Sequence, residues 1–220
     1  MKTKGLTSFD LKMIAIIAMV IDHIGHIFLD YPLAIPFRVI GRLTAPIMAF
    51  LIAEGYSHTK NVNKYMLRMF IFALISQIPY MLVINNNLNV LFTYLIAIGI
   101  LELFYKVKDK VISFAFIAVL LAISTLSDWG MTGVLFVLIF HIFRKDKLKQ
   151  ILCFSVFAII KYAHLCITSS LLNAINFAIL LAIIFILLYN NKRGKKMKYF
   201  FYAFYPAHLM ILAIIKFLIK

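Results

Sequence analysis

Residues 11–29 read LKMIAIIAMVIDHIGHIFL, an apolar run that carries an aspartate and two histidines, Asp22, His23 and His26. A run of this length approaches the ~20 residues that cross a hydrocarbon core of ~30 Å, so it predicts a membrane-spanning helix. An ionisable group inside such a helix is a functional candidate by default, because a charge at the bilayer centre costs at least ~2.5–3.5 kcal/mol.

The remainder of the chain has the same character. It has 220 residues, 64% of them hydrophobic and 14% charged, with a mean hydropathy of +0.99. A soluble domain of this length would carry about a quarter charged residues. The composition predicts an all-α polytopic membrane protein, with residues 1–220 forming a single integral domain and the lipid bilayer as its surroundings. The net charge of +15 lies in short clusters between apolar runs, the pattern of membrane loops, and speaks against a nucleic-acid partner. Cys153 and Cys166 have apolar surroundings and no metal-ligand spacing, so they predict neither a disulfide nor a zinc site. Lys2 and Lys4 precede the first apolar run, but no small-residue cleavage site follows it, and the run is read as a retained helix.

Nine apolar runs can be walked: 11–29, 38–56, 65–84, 89–105, 111–126, 131–143, 149–165, 171–189 and 199–218. The sixth is short, which predicts a tilted or half-buried helix. Alternate connections are basic: the start with Lys2, Lys4 and Lys12, then Lys60, Lys64 and Arg68, then Lys106, Lys108 and Lys110, then RKDKLK, then NKRGKKMK. The intervening ones, DYPLAIPFR, NNNLN, STLSDWG and KYAHLCITSS, are poor in positive charge. The positive-inside rule then places the N-terminus in the cytoplasm and the C-terminus outside. Lys216 and Lys220 at the outer end are a mild exception.

The polar residues are concentrated in the first four runs and the last. Arg42 and Glu54 fall in the second run, Gln77 and Tyr80 flank Pro79 in the third, and Tyr205 and His208 flank Pro206 in the ninth. The economical reading is one polar cavity that these groups share with Asp22, since Asp22 and Arg42 would each be costly in lipid unless they meet each other or water. Pro79 removes one backbone donor, which either frees a carbonyl to open a polar pocket or makes an ordinary kink. Asp128, in SDWG, is either an acceptor-side contact or a solvated turn residue.

On a helix advancing ~100° and ~1.5 Å per residue, Lys12 and His23 share a face about 16 Å apart, with His26 on the same side and Asp22 within reach of His26. A histidine oriented by a carboxylate is suited to move a proton near neutral pH. A lysine at the cytoplasmic mouth is suited to hold a phosphate, or simply snorkels to headgroups. Together they point to an acyl thioester of coenzyme A, with phosphates at one end and the acyl group at the tip of a thin arm. The acyl group would pass to an amine or hydroxyl acceptor, whether peptide, glycan or lipid-linked. A proton-coupled secondary transporter, with Asp22, His23 and His26 as a relay, is the alternative, although the inverted repeats such a fold uses are not evident. No metal is expected, because Asp22 and His23 are adjacent and diverge by ~100° on a helix.

Five stretches, IDHIGHIF (21–28), GRLTAPIMAFLIAEGYSHT (41–59), RMFIFALISQIPY (68–80), DWGMTGVLF (128–136) and YAFYPAHL (202–209), span most of the chain. In them the sequence resembles the TraX family of bacterial membrane proteins, named for a conjugation-system protein that acetylates the N-terminus of pilin. The family is similar to the acyltransferase-3 proteins, in which a basic residue, ten residues and a catalytic histidine open the fold; Lys12 and His23 match that spacing. The resemblance implies a multi-pass protein of the bacterial cytoplasmic membrane and cytosolic acetyl-CoA as donor. It implies His23, Asp22, His26 and Arg42 at the catalytic centre and Lys12, Glu54, Gln77, Tyr80, Tyr205 and His208 around the donor.

Overall fold

The computed structural model describes residues 5–219. Lys2, Lys4 and Lys220, counted above in the charge pattern, lie outside the described residues. The described chain is helical almost throughout: α1 (Ser8–Phe28), α2 (Ala34–Gly41), α3 (Thr44–His58), α4 (Val62–Val83), α5 (Val90–Lys106), α6 (Lys110–Ser124), α7 (Gly130–Ile142), α8 (Lys147–Thr168), a 3-10 segment (Leu171–Leu181), α9 (Ala182–Leu187) and α10 (Lys198–Ile219). The nine apolar runs fall on these helices. The second run is made of α2 and α3, and the eighth of the 3-10 segment and α9.

Helix starts are coded locally. Thr7 and Asp10 form a reciprocal capping box at α1, with the Thr7 N–H donating to Asp10 Oδ2 at 2.8 Å. Asn61, Asn89, Asp109 and Asp146 each accept a backbone N–H from the first turn of the helix that follows. A side-chain oxygen at this position satisfies a donor the helix itself cannot.

Five stretches are long and apolar enough to cross a membrane: Ser8–Phe28, Ala34–His58, Val62–Val83, Lys147–Thr168 and Tyr199–Ile219. Large apolar side chains face outward, among them Val111, Phe114, Phe116 and Val119 on α6. An exposed apolar surface of this extent needs lipid rather than water against it. The chain is an all-α membrane protein.

The backbone clusters into two compact units, Met1–Leu51 with Ile142–Lys198, and Ile52–His141 with Tyr199–Lys220. In the first unit α1 packs on α2, and the 3-10 segment packs on α8 and α2. Its core includes Leu11, Ala15, Ile47, Phe154, Ala158 and Ile179. The chain before α1 is tied to the segment after α9: Leu6 N–H donates to Leu188 O at 2.7 Å, and Asn190 N–H to Leu6 O at 2.9 Å. In the second unit α4 packs on α5 and α5 on α6. Its core includes Met69, Ala73, Ile98, Phe136, Phe140 and Leu209.

The second unit departs from a simple bundle in its connections. Asn89, fully buried, donates from Nδ2 to the Ala73 carbonyl at 2.8 Å. Ala73 lies ten residues before α4 ends at Val83, about 15 Å along a helix axis. The chain therefore turns back along α4 before α5 begins. Gln77 braces this return, donating to Asn87 O at 2.8 Å and accepting from Asn89 N–H at 3.0 Å. The α6–α7 connection lies beside it, with Leu88 N–H donating to Leu126 O at 3.0 Å and Asp128 N–H to Leu88 O at 2.7 Å. Both connections were expected as plain turns between spans. Instead they are recessed, which is why α5, α6 and α7 have only 17, 15 and 13 residues.

Candidate functional site

Each unit gathers one cluster of the polar residues picked out by sequence. In the first unit the centre is Asp22. Arg38 Nη1 donates to its Oδ2 at 2.9 Å, and Arg42 Nη2 lies 3.6 Å from Oδ1. The Arg42 Nε donates to the Arg38 carbonyl at 3.2 Å, which fixes the second guanidinium on the same turn. His26 is near enough to act on Asp22 electrostatically. Two glycines permit this closeness. A Cβ on Gly41 would overlap the Asp22 side chain, and one on Gly25 would overlap Phe37. Small residues at such points let helix backbones approach.

His23 is half-buried and His26 exposed, both on the unbroken α1 that also carries Lys12. Lys12 feels the charge of Arg193, from the basic segment NKRGKKMK. That segment is anchored to the start of α1: Ser8 N–H donates to Lys192 O at 2.8 Å, and Phe9 N–H to Arg193 O at 3.1 Å.

In the second unit the recessed connections bring Asp128 beside three tyrosines. Its carboxylate acts electrostatically on Tyr80, Tyr94 and Tyr205, all buried. The connection is held by Thr93, whose hydroxyl bonds Ser127 Oγ at 2.8 Å and donates to the Asp128 carbonyl. Trp129 takes a positive φ of 62°, and its N–H donates to Asp128 Oδ1 at 3.0 Å. A Cβ on Gly133 would lie 2.9 Å from Thr93 Cγ2 and 3.0 Å from Trp129 Cβ, so the start of α7 fits only without one. The Tyr80 hydroxyl is buried and has no hydrogen-bond partner of good geometry, with Asp128 and Asn85 as its polar neighbours. His208 lies against Tyr205, ring centroids 5.6 Å apart, and its Nδ1 is 3.0 Å from the Phe204 carbonyl.

The sequence candidates thus divide. Asp22, Arg42 and His26 meet in one unit, with Lys12 and His23 on the same helix; Tyr80, Tyr205 and His208 gather in the other, braced by Gln77. Glu54 stands apart from that second cluster, 3.3 Å from His58 Nε2 on its own helix. Three residues were undervalued. Arg38 entered only as the last residue of DYPLAIPFR, a connection poor in positive charge, although it stands four before Arg42, the spacing that puts two side chains on one helix face. Tyr94 carried no signal beyond being a polar residue in the fourth run. Asp128 left two readings open, and its place among buried tyrosines is not that of a solvated turn residue. Among the described residues no group of three His, Cys, Asp or Glu is placed to hold a metal ion.

A polytopic α-helical membrane protein with two clusters of polar residues among its helices is the class these observations define. Residues 8–216 match the family described as TraX protein, and the chain belongs to that family. It is 29% identical to the "Probable fimbrial assembly protein FimC, serogroup H1" of Dichelobacter nodosus, over 94% of each chain. No solved structure matches it significantly.

These findings correct the broad functional expectation. The expectation of acyl transfer to an unspecified amine or hydroxyl by a histidine base, with a proton-coupled transporter as alternative, is overturned by the match to the TraX family and the similarity to a protein named for fimbrial assembly. The Asp22 carboxylate is paired with Arg38 and Arg42, and His26 acts on it as well.

Proposed function

We propose that this protein acts in pilus or fimbrial assembly, in the bacterial cytoplasmic membrane, by acetylating a pilin subunit. The observation that carries the reading is the family match over residues 8–216, together with end-to-end similarity to a protein named for fimbrial assembly. In this reading acetyl-CoA is the donor. The subunit's amino group, once it has lost its ammonium proton, forms the new C–N bond to the acyl carbon, the C–S bond breaks, and the proton the nitrogen then loses ends on the departing thiol of coenzyme A. Lys12 and Arg193 support the donor assignment, since two cations close together favour a bound polyanion such as the phosphates of coenzyme A. The Asp22–Arg38–Arg42 cluster keeps α1 and α2 in register beside His23 and His26.

The test is intact-protein mass spectrometry of the pilin subunit from cells with and without this protein. Loss of one acetyl group from the subunit when the protein is absent is the expected result. An identical subunit mass in both strains would overturn the proposal.

A further inference from the structure

The Asp128 cluster of the second unit brings together an unusual number of polar side chains for a helix-packing contact. Two connections depart from the helical ladder, one turning back along α4 and the other lying beside it, and irregular backbone at membrane depth is tolerated where it is buried in protein or lines a cavity. Asn89, Thr93, Ser124 and Ser127, all buried, satisfy that backbone and each other. The scaffold so built positions a half-buried carboxylate within electrostatic reach of Tyr80, Tyr94 and Tyr205. The Tyr80 hydroxyl, completely buried, is left without a partner of good geometry. A buried hydroxyl in that condition gains from any further polar partner, whether a water or a bound group.

The chemistry of the lining selects the ligand. A carboxylate and several phenolic oxygens present acceptors and negative charge. A primary ammonium presents three N–H donors and positive charge, with no acceptor of its own. We propose that Asp128, Tyr80, Tyr94 and Tyr205 form a binding site for a primary ammonium group, with the Asp128 carboxylate as its counter-ion and the Tyr80 hydroxyl oxygen as one of its acceptors. The identity of that ammonium, the amino terminus of a pilin subunit, rests on the function proposed above; the binding itself does not. Asp128, Tyr80 and Tyr94 then recognise the acceptor in its charged form, before it loses the proton that frees its lone pair, and the site discriminates against an amine already acylated, which has lost its charge and two of its donors.

The chain contains a built-in reporter. Trp129 is its single tryptophan, and its backbone N–H donates to Asp128 Oδ1 at 3.0 Å. Purified protein in lipid nanodiscs is titrated with tetra-alanine amide bearing a free amino terminus, with the same peptide N-acetylated, and with sodium chloride alone, following Trp129 emission. The free-amine peptide is expected to give a saturable shift that the acetylated peptide does not. Asp128→Asn is expected to weaken the interaction roughly ten- to hundredfold, the scale of one charge-assisted bond. Tyr80→Phe, which removes one oxygen and keeps the ring, is expected to weaken it roughly threefold to tenfold. Equal responses to free and acetylated peptide would overturn the site, as would an unchanged affinity in both variants or the absence of any response. A shift given by sodium alone would assign the carboxylate to an inorganic cation and overturn it equally. Saturable amine binding with no change in pilin mass between strains would leave this site standing and remove the function proposed for it.

Discussion

The Asn89 side-chain amide donates to the carbonyl of Ala73 at 2.8 Å, and its oxygen accepts the N–H of Leu91 at 3.1 Å. One buried side chain therefore caps α5 and fastens its start to the middle of α4. Because the Asp128 connection hangs from Leu88, next to Asn89, the geometry of the chamber depends on this contact.

Asn89→Ala removes a helix cap and further buried hydrogen bonds, including one to Gln77 Oε1 at 2.9 Å. Each is worth about 1 kcal/mol, so a loss of about 2–3 kcal/mol is expected. Thermal unfolding in detergent should show a lowered melting temperature. An unchanged one would mean that α5 is positioned by packing alone.

Gly41→Ala places a methyl group where the Asp22 side chain lies. Overpacking of this kind costs about 1–3 kcal/mol, and here it also pushes Asp22 away from its arginines. Gly99→Ala is the control, since its Cβ would meet only Leu120 Cδ1 at 3.6 Å, an ordinary contact. The first variant is expected to melt at a clearly lower temperature than the second, and equal melting would contradict the α1–α2 contact described.

The Asp22 ion pairs are partly exposed, with the carboxylate side chain at 18% and Arg38 at 27%. Exposed pairs contribute about 0–1 kcal/mol, and breaking a buried one costs about 3–5 kcal/mol, so removal of Asp22 is expected to cost about 1–3 kcal/mol. Double-mutant cycles should find stronger coupling to Arg38, which hydrogen-bonds at 2.9 Å, than to Arg42 at 3.6 Å. The opposite order would show that the second arginine is the true counter-ion.

Lys12→Glu is expected to weaken coenzyme A binding roughly tenfold in isothermal titration, with Lys12→Arg retaining most of the affinity. Arg193→Glu should act in the same direction, because its charge reaches Lys12. Undiminished binding in both charge reversals would remove the donor from this end of α1.

Helix positions were legible in the sequence because apolar runs and their caps are local signals; α1, α4 and α8 each begin within three residues of their runs. Asp22 and Arg42 were legible too, since the cost of charge in lipid requires a partner. What escaped was tertiary. NNNLN and STLSDWG read as loops because Asn, Ser and Gly favour turns, and nothing local says that Asn89 reaches back to Ala73 or that Ser127 meets Thr93. The role of Arg38 escaped for the same reason. Its partner lies sixteen residues earlier, on another helix.

The 15-residue α6 has a consequence for the bilayer itself. Its apolar wall, with Val111, Phe114, Phe116 and Val119 facing outward, rises only about 22 Å, against a hydrocarbon thickness of about 30 Å. Acyl chains that line it must compress or tilt, a mismatch that costs a fraction of a kcal/mol for each ångström. Annular lipid beside α6 is accordingly expected to be thinner than that beside the 22-residue α4, and the protein to favour bilayers of short-chain lipid.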